Sequence, residues 1–184
     1  MRQAAAGGRE ARLALYERYR EAAYAVAFRV TGRSEDALDV VQDAFVKAFE
    51  SLAGFQQEAS FKTWLLRIVS NRSLDLLRAR RVRVAASIDA EGDDESPGGI
   101  EPADRDAAPP DDGLQRAELS QRVRAALDSL PPEQRAVMAM FALEEMTYGQ
   151  ISEALGIPIG TVMSRLFHAR RKLQEALGED RHSG

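Results

Sequence analysis

Residues 147–173 read TYGQISEALGIPIGTVMSRLFHARRKL, and their pattern predicts a short helix, a tight turn and a longer helix. Thr147 and Gln150 have the spacing of a capping box, in which two side chains satisfy the free N–H groups at a helix start. Gly156 can adopt the left-handed backbone that ends a helix, and Pro158 favours the start of the next one. Apolar residues recur at helical spacing in both segments: Ile151, Ala154, Leu155, Val162, Leu166, Ala169 and Leu173. This order of elements predicts a helix-turn-helix.

The opposite face of the second helix carries residue types that suit a DNA groove. Hydroxyl groups bind phosphates or base edges, and arginine can bind guanine at two points. The candidate DNA contacts are Thr161, Ser164, Arg165, His168, Arg170, Arg171 and Lys172. An ordinary helical hairpin with a solvated basic face is the alternative. Because capping box, short helix, turn and basic helix follow one another, the sequence favours a helix that docks in the major groove.

An acidic stretch, residues 84–113, precedes this unit and is rich in Asp, Pro, Gly and Ala. Ten of the 29 acidic residues lie in it, against one basic residue, Arg105. Such a segment cannot bury enough apolar surface to fold alone. We therefore predict a flexible, disordered linker between an N-terminal domain, 1–83, and a C-terminal domain, 114–184. The negative charge is concentrated in the linker, so the rest of the chain, taken together, has 24 basic and 19 acidic residues and is net basic.

Both domains have helical patterning, and no alternating strand pattern of useful length appears. Apolar residues recur three or four apart around residues 15–30, 38–52 and 60–69. Two further helices are predicted on either side of Pro131 and Pro132, because proline breaks one helix and can open the next. We predict an all-α fold of two small helical domains joined by a flexible acidic linker, with the helix-turn-helix in the second.

The composition argues against several classes of function. The chain has no cysteine, and its two histidines, His168 and His182, form no ligand cluster, so we predict no metal or cofactor. No phosphate loop or nucleophile–base pair is evident, so we do not predict an enzyme. The N-terminus lacks the apolar core of a signal peptide, and no run approaches the roughly 18 apolar residues of a membrane span. A cytoplasmic protein without membrane insertion is expected.

Four motifs carry a resemblance to a known family. They are DALDVVQDAFVKAF at 36–49, FKTWLLRIVSNRSLDLLRARR at 61–81, SLPPEQRAV at 129–137, and the helix-turn-helix. Each motif alone is moderately specific, but their order and spacing together are highly specific. Nearly the whole chain outside the linker and the two ends resembles a bacterial RNA polymerase sigma factor of the extracytoplasmic-function (ECF) group. The resemblance implies a protein that binds core RNA polymerase, directs it to promoters through −35 and −10 elements, and promotes DNA melting.

The resemblance also implies roles for individual residues. The surface that docks on the clamp coiled coil of the polymerase largest subunit would comprise Asp39, Gln42, Asp43, Val46 and Phe49. From the residues alone, a solvated acidic face is the more ordinary interpretation of that set. Capture of an unpaired −10 base, with phosphate contacts around it, would involve Phe55, Lys62, Arg67, Asn71, Arg72, Arg78, Arg80 and Arg81. The contacts named above on the second helix would read the −35 element, and an anti-sigma protein is an expected partner.

Some positions depart from the family pattern. Leu38 stands where an acid is usual, and Gln56-Gln57 replaces a common Arg-Gly in the base-capturing loop. Met163 stands where Arg or Lys is usual, and His168 where Arg is frequent. Because Met163 cannot contact a phosphate or a guanine edge, we expect weaker anchoring at the −35 element. The acidic linker would thread the RNA-exit path of polymerase by resemblance, although a simple solubilising tether explains its charge equally well.

A stand-alone helix-turn-helix regulator is the main alternative function. Its N-terminal domain would sense a partner, and its DNA binding would not require polymerase. Such a regulator has no need of the Arg-rich helix that follows FKTWLLRIVSN at residues 61–71. The first domain therefore distinguishes the two functions.

Overall fold

The computed structural model describes residues 2–55, 59–88 and 112–178. Every regular element in these ranges is helical, which confirms the predicted all-α fold. The helices are α1 Arg2–Ala5, α2 Arg9–Thr31, α3 Ser34–Ser51, α4 Phe61–Ile88, α5 Asp112–Asp128, α6 Pro132–Ala142, α7 Tyr148–Leu155 and α8 Ile159–Gly178. A single 3-10 turn, Leu52–Gly54, follows α3. The helices α1 to α4 form an N-terminal lobe, and α5 to α8 form a C-terminal lobe.

The N-terminal lobe buries its core between α2, α3 and α4. Gly32 ends α2 with a φ of 78°, and its N–H donates to the Phe28 carbonyl at 2.8 Å. The chain therefore turns at once into α3, which packs back against α2. Leu65, Leu66 and Val69 of α4 are buried in this core, so one face of α4 is held against the lobe. The opposite side of α4, which carries Arg67 and Asn71, is exposed.

The C-terminal lobe contains the helix-turn-helix as α7 and α8. The Thr147 hydroxyl accepts from the Gln150 N–H at 3.3 Å, and the Gln150 side-chain oxygen accepts from the Thr147 N–H at 2.9 Å. Gly156 ends α7 with a φ of 64°. The Pro158 carbonyl accepts from the N–H groups of Thr161 and Val162 at the start of α8. The capping box and the turn glycine are therefore as the sequence predicts.

Gly156→Ala should lower the free energy of unfolding by about 1 kcal/mol, because a side chain at positive φ is strained. An added Cβ would meet no atom within 4 Å, so the loss comes from the backbone alone. Gly160 is the matched control, since it lies within α8 and also has open space around it. Gly160→Ala should cause no loss and a small gain. Urea unfolding followed by circular dichroism measures both, and equal losses would contradict the strain.

The two lobes pack against each other, which the sequence did not predict. Helix α6 lies against α2, and α7 lies against α4, so buried residues of both lobes join in one apolar cluster. At one edge, the Lys62 ammonium lies 2.8 Å from a carboxylate oxygen of Glu144 and donates to the Glu144 carbonyl at 3.0 Å. The Glu144 side chain is only 9% exposed. This pair fastens the start of α4 to the loop before α7.

The predicted linker, residues 84–113, is helical at both of its ends. Helix α4 continues to Ile88, and α5 begins at Asp112. The physical reason is local composition, since residues 82–88 read VRVAASI and contain neither Gly nor Pro to stop the helix. Most of the predicted linker, residues 89–111, lies outside the described residues, as does Gln56-Gln57.

Candidate nucleic-acid interface

The solvent face of α4 collects four of the predicted −10 residues. Residues three, four or seven apart share one side of a helix. Arg67, Asn71, Arg78 and Arg81 have this spacing, and all four are exposed. Arg78 pairs with Asp75 at 2.9 Å, a contact within the same helix between two well-exposed side chains. The result is a basic strip with one amide near its centre, which suits a nucleic-acid strand.

Three other predicted −10 cations lie away from this strip and are paired within the chain. Lys62 is held by Glu144 of the other lobe, and Arg80 lies 3.0 Å from a carboxylate oxygen of Asp36. Arg72 forms an ion pair with Asp43 of α3. The structure therefore does not bring all the predicted phosphate contacts together. In this arrangement Lys62 and Arg80 contribute to packing between helices.

An aromatic group lies at the start of α4. The ring of Phe55 stacks at a tilt on Trp64, with centroids 4.7 Å apart, and lies 6.4 Å from Phe61. Phe61 is buried, and Trp64 is half-buried. Phe55 is itself half-buried on these two rings, immediately before residues 56–58, which lie outside the described ranges. Phe55 is thus fixed at the edge of the α4 strip.

The predicted polymerase surface on α3 is exposed except at one end. Asp39, Gln42, Asp43 and Val46 face solvent, and Val46 is 53% exposed. Phe49 is half-buried, because its ring lies 5.7 Å from that of Phe45 and 5.7 Å from the Arg12 guanidinium. The neighbouring Leu38 is 58% exposed, so this surface is less charged than the family pattern. The Asp43–Arg72 pair joins it to the α4 side of the lobe.

Helix α8 presents its predicted DNA contacts at two levels of exposure. Val162, Leu166 and Ala169 are buried and fix which side of the helix faces outward. Ser164 and His168 are exposed, whereas Thr161 and Arg165 are half-buried at the flank of the outward face. The Ser164 hydroxyl donates to the Thr161 carbonyl at 3.1 Å. No ion pair is observed for Arg165 among the described residues.

The three cations that follow on α8 all have contacts within the chain. Arg170 lies over the Phe141 ring, with its guanidinium 4.8 Å from the centroid. Arg171 pairs with Glu175 at 3.2 Å, and both side chains are well exposed. The Lys172 ammonium donates to the Ser129 carbonyl at 2.6 Å. Arg171 remains accessible to a phosphate, while Lys172 ties α8 to the end of α5.

Three apolar residues lie on the outward side of α8, and sequence reasoning had noted only one of them, Met163, as a lost cationic contact. Ile159, Met163 and Phe167 are 49%, 53% and 62% exposed. The signal was present in their spacing, because they recur every four residues out of phase with the buried stripe of α8. Phe167 also lies against His168, with ring centroids 5.6 Å apart. The outward face of α8 is therefore both basic and apolar.

The junction between the lobes carries charge at an energetic cost. Burial raises the pKa of Asp128, and the guanidinium groups of Arg135 and Arg29 oppose that effect. Burial also lowers the pKa of Arg135. The negative charge of Asp128 opposes this shift, and the positive charge of Arg81 in the other lobe adds to it. The Arg135 Nε atom is buried without a hydrogen-bond partner. Because a buried, incompletely paired charge costs free energy, this junction is weaker than a purely apolar one.

Two kinds of feature are absent from residues 2–55, 59–88 and 112–178. No helix in these ranges is long and apolar enough to cross a membrane. Nor do these ranges contain a cluster of three or more His, Asp or Glu side chains that could hold a metal ion.

Known proteins share both lobes of this chain. The model of Sigma-70 region 2 matches residues 15–83, and that of Sigma-70 region 4 matches residues 120–173. The ECF RNA polymerase sigma-E factor of Escherichia coli strain K12 is 35% identical over 142 residues, which cover 76% of this chain and 73% of the relative. The chain belongs to the ECF group of RNA polymerase sigma factors.

Other relatives extend the match along this ECF sigma factor. SigE of Mycolicibacterium smegmatis is 33% identical over 90% of the chain, which spans only 61% of that relative's length. The sigma factor RpoE of Bartonella quintana, solved with the anti-sigma factor NepR, has a TM-score of 0.66 and 27% identity, covering 86% of this chain and 91% of that one. Sigma factors are transcription initiation factors rather than catalysts. The α4 strip and the outward face of α8 lie within the two matched regions.

Proposed function

We propose that this ECF sigma factor binds core RNA polymerase and directs it to promoters by reading two DNA elements, one with each lobe. The observation that carries the proposal is the presence of two separate, outward basic faces, on α4 and on α8, in the two matched regions. Neither face is buried by the packing between the lobes. In this proposal the chain acts through binding alone, catalyses no reaction, and needs no metal or cofactor.

The division of labour follows the two lobes. The N-terminal lobe, predicted as residues 1–83, docks on polymerase and recognises the −10 element. The C-terminal lobe, predicted as residues 114–184, recognises the −35 element, and the acidic segment between α4 and α5 links the two. Polymerase docking uses Asp39, Gln42, Asp43, Val46 and Phe49 of α3. Because four of these five side chains face solvent in one continuous surface, they are available to a partner without any rearrangement.

The −10 element is held as a single strand on the α4 strip. Arg67, Arg78 and Arg81 supply the phosphate contacts, because cations spaced along an exposed helix face can follow a backbone. Asn71 lies among them and offers both a donor and an acceptor to a base edge. Phe55 forms one wall of the pocket for an unstacked base. Arg72, Arg80 and Lys62 support this surface from their paired positions and reach DNA only where those pairs break.

The −35 element is read as duplex DNA by α8. Ser164 and His168 face the groove, Arg165 reaches a base edge from the flank, and Arg171 contacts a phosphate. Three side chains at the flanks of α8 keep the helix in position on the DNA: Arg170, Lys172 and Thr161. Each of the two faces supplies few phosphate contacts on its own, so the two lobes must act together for tight binding.

We also propose where in the cell the protein acts and which kind of protein regulates it. The protein acts in the cytoplasm, where polymerase and chromosome meet. Its relative RpoE of Bartonella quintana was solved with an anti-sigma factor, and we infer that an anti-sigma protein also binds this chain. The exposed α3 surface is where such a protein would compete with polymerase.

Transcription with purified core polymerase tests the proposed function. Core enzyme, the full chain and fragmented genomic DNA are combined, and the 5′ ends of the transcripts are mapped. We expect discrete start sites that require the chain and share two upstream elements. Start sites that are unchanged when the chain is left out would refute the proposal.

Asn71→Ala should impair promoter opening while sparing duplex binding, because the lost amide contacts the melted strand only. Permanganate reactivity of thymines at the −10 element measures the opening. A template with a preformed −10 bubble is the control, and on it the variant should recover most of its transcription. Normal permanganate reactivity in the variant on duplex promoter would contradict the role of Asn71.

A further inference from the structure

A cleft between the two lobes is not used by the proposed contacts with DNA or polymerase. It has a volume of about 280 Å³ and is lined by Arg29 of α2 and by Leu119, Ser120, Val123 and Arg124 of α5. Its two walls therefore come from different lobes. The complete cleft exists only while the lobes are packed together.

Positive charge collects at this cleft. Arg29 and Arg124 are half-buried, and no ion pair is observed for either among the described residues. Burial raises the pKa of Asp128, and the guanidinium groups of Arg135, Arg29 and Arg124 oppose that effect. The charge of this one carboxylate is therefore shared among three cations.

The cluster around Arg135 is also short of hydrogen-bond acceptors. The Arg135 Nε atom is buried and has no hydrogen-bond partner within the described ranges. Burial lowers the pKa of Arg135, Asp128 and Glu133 oppose that effect, and Arg81 of the other lobe adds to it. In the described part of the chain, four arginines, two from each lobe, thus meet two carboxylates at the junction. An added anion would reduce the repulsion between the lobes.

The walls of the cleft favour a small phosphate-bearing anion. A cleft with charge of one sign and low-dielectric walls concentrates counter-ions, and Leu119 and Val123 supply apolar walls here. A guanidinium group binds phosphate through paired, charge-assisted hydrogen bonds, and the Ser120 hydroxyl can donate one more. The volume is near the lower limit for ligand pockets, roughly 300 Å³, which suits a small molecule rather than a nucleic-acid strand.

We propose that this cleft binds a small anion with two or more phosphate groups, which bridges Arg29 of one lobe and Arg124 of the other. Because the complete cleft is present only in the packed arrangement, the anion binds that arrangement in preference and increases its population. The consequence for transcription rests on the proposed function. If each lobe reads its own promoter element, an anion that holds the lobes together keeps the sigma factor inactive.

Titration calorimetry of the full chain with inorganic pyrophosphate tests the site without polymerase or DNA. Ionic strength is held constant with sodium chloride, which removes any general salt effect. We expect saturable binding of one pyrophosphate per chain. Arg29→Ala and Arg124→Ala should each weaken it about tenfold or more, because each removes a charge-assisted phosphate contact.

Arg20→Ala is the matched control, since Arg20 is an exposed arginine on the same helix as Arg29. Nine residues separate the two, which places them on opposite sides of α2. The control should bind pyrophosphate like the wild type. Arg29→Lys keeps the charge and should retain more binding than Arg29→Ala, and circular dichroism checks that every variant is folded.

The effect on lobe packing has its own readout. Lys62→Cys with Glu144→Cys places two thiols where the lobes meet, in a chain that has no other cysteine. Pyrophosphate should raise the initial rate at which a bis-maleimide joins them, in proportion to the gain in the packed population. Arg29→Ala should remove that increase.

Four results would overturn the inference. The wild-type chain could bind no pyrophosphate beyond the sodium chloride control. It could do so only after the acidic residues of 89–111 are changed to Asn and Gln, which would show that the chain's own carboxylates fill the cleft. Binding could be equally strong in Arg29→Ala and Arg124→Ala, or cross-linking could be insensitive to pyrophosphate. In each case transcription from specific start sites would still support the proposed function, since these experiments contain no polymerase.

Discussion

Cross-linking the two lobes in their packed arrangement should abolish promoter-directed transcription. Promoter elements named −10 and −35 lie about 25 base pairs apart, which is about 85 Å of duplex. A compact chain of 184 residues has a radius of gyration of about 16 Å and is about 40 Å across. With α7 against α4, the two DNA-reading faces cannot span that distance. Residues 89–111 can extend to about 75 Å, so the lobes can separate without breaking the chain.

The chain allows a clean version of this experiment because it contains no cysteine. Lys62→Cys with Glu144→Cys replaces the ion pair between the lobes, and a bis-maleimide with a reducible spacer joins the two thiols. We expect at least a tenfold loss of run-off transcript after cross-linking and recovery after reduction. Each single-cysteine variant, treated with the same reagent, is the control. Full transcription by the cross-linked chain would show that the lobes need not separate.

Arg165→Ala should strongly reduce transcription that depends on the −35 element. A two-point arginine–guanine contact contributes about 1–3 kcal/mol of discrimination, or roughly fivefold to 150-fold in affinity. Arg165 is half-buried on the flank of α8, next to the exposed Ser164. The measurement is run-off transcription on templates with the normal and a replaced −35 element. The variant should lose most of the difference between them.

Arg165→Lys separates a base contact from a simple charge effect. Lysine keeps the positive charge but cannot make the paired, planar contact of a guanidinium. We therefore expect Arg165→Lys to restore little of the −35 discrimination. Co-migration with core polymerase should be normal for both variants. Full rescue by lysine would assign Arg165 to a phosphate, and an equal loss of polymerase binding would reject its place on DNA.

Local signals were the part of the fold that the sequence could predict. The Thr147–Gln150 capping box, the turn at Gly156 and the buried stripe through Val162 and Leu166 all depend on residues within one or two helical turns. Such features follow from backbone hydrogen bonding and side-chain periodicity, and they appear in the structure as predicted. The two regions of the family were likewise recognisable, because their motifs are continuous in the chain.

Contacts between distant residues were the part that could not be predicted. Lys62 was expected on DNA, but it binds Glu144, 82 residues further along the chain. Arg80 was also expected on DNA, and it pairs with Asp36. No periodic signal in a sequence reports which acid a given cation will meet. Phe167 differs, because its position out of phase with the buried stripe of α8 was visible in the sequence.

Run-off transcription on promoters with one element replaced at a time tests whether one chain reads two elements with two faces, α4 for −10 and α8 for −35. With wild-type chain and core polymerase, replacing either element should reduce the transcript. On a template without the −35 element, Arg165→Ala should cause little further loss of transcript. Asn71→Ala should still reduce the transcript on that template. An unchanged wild-type transcript after replacement of either element would contradict reading of both elements by this chain, as would variants that each respond to the element assigned to the other lobe.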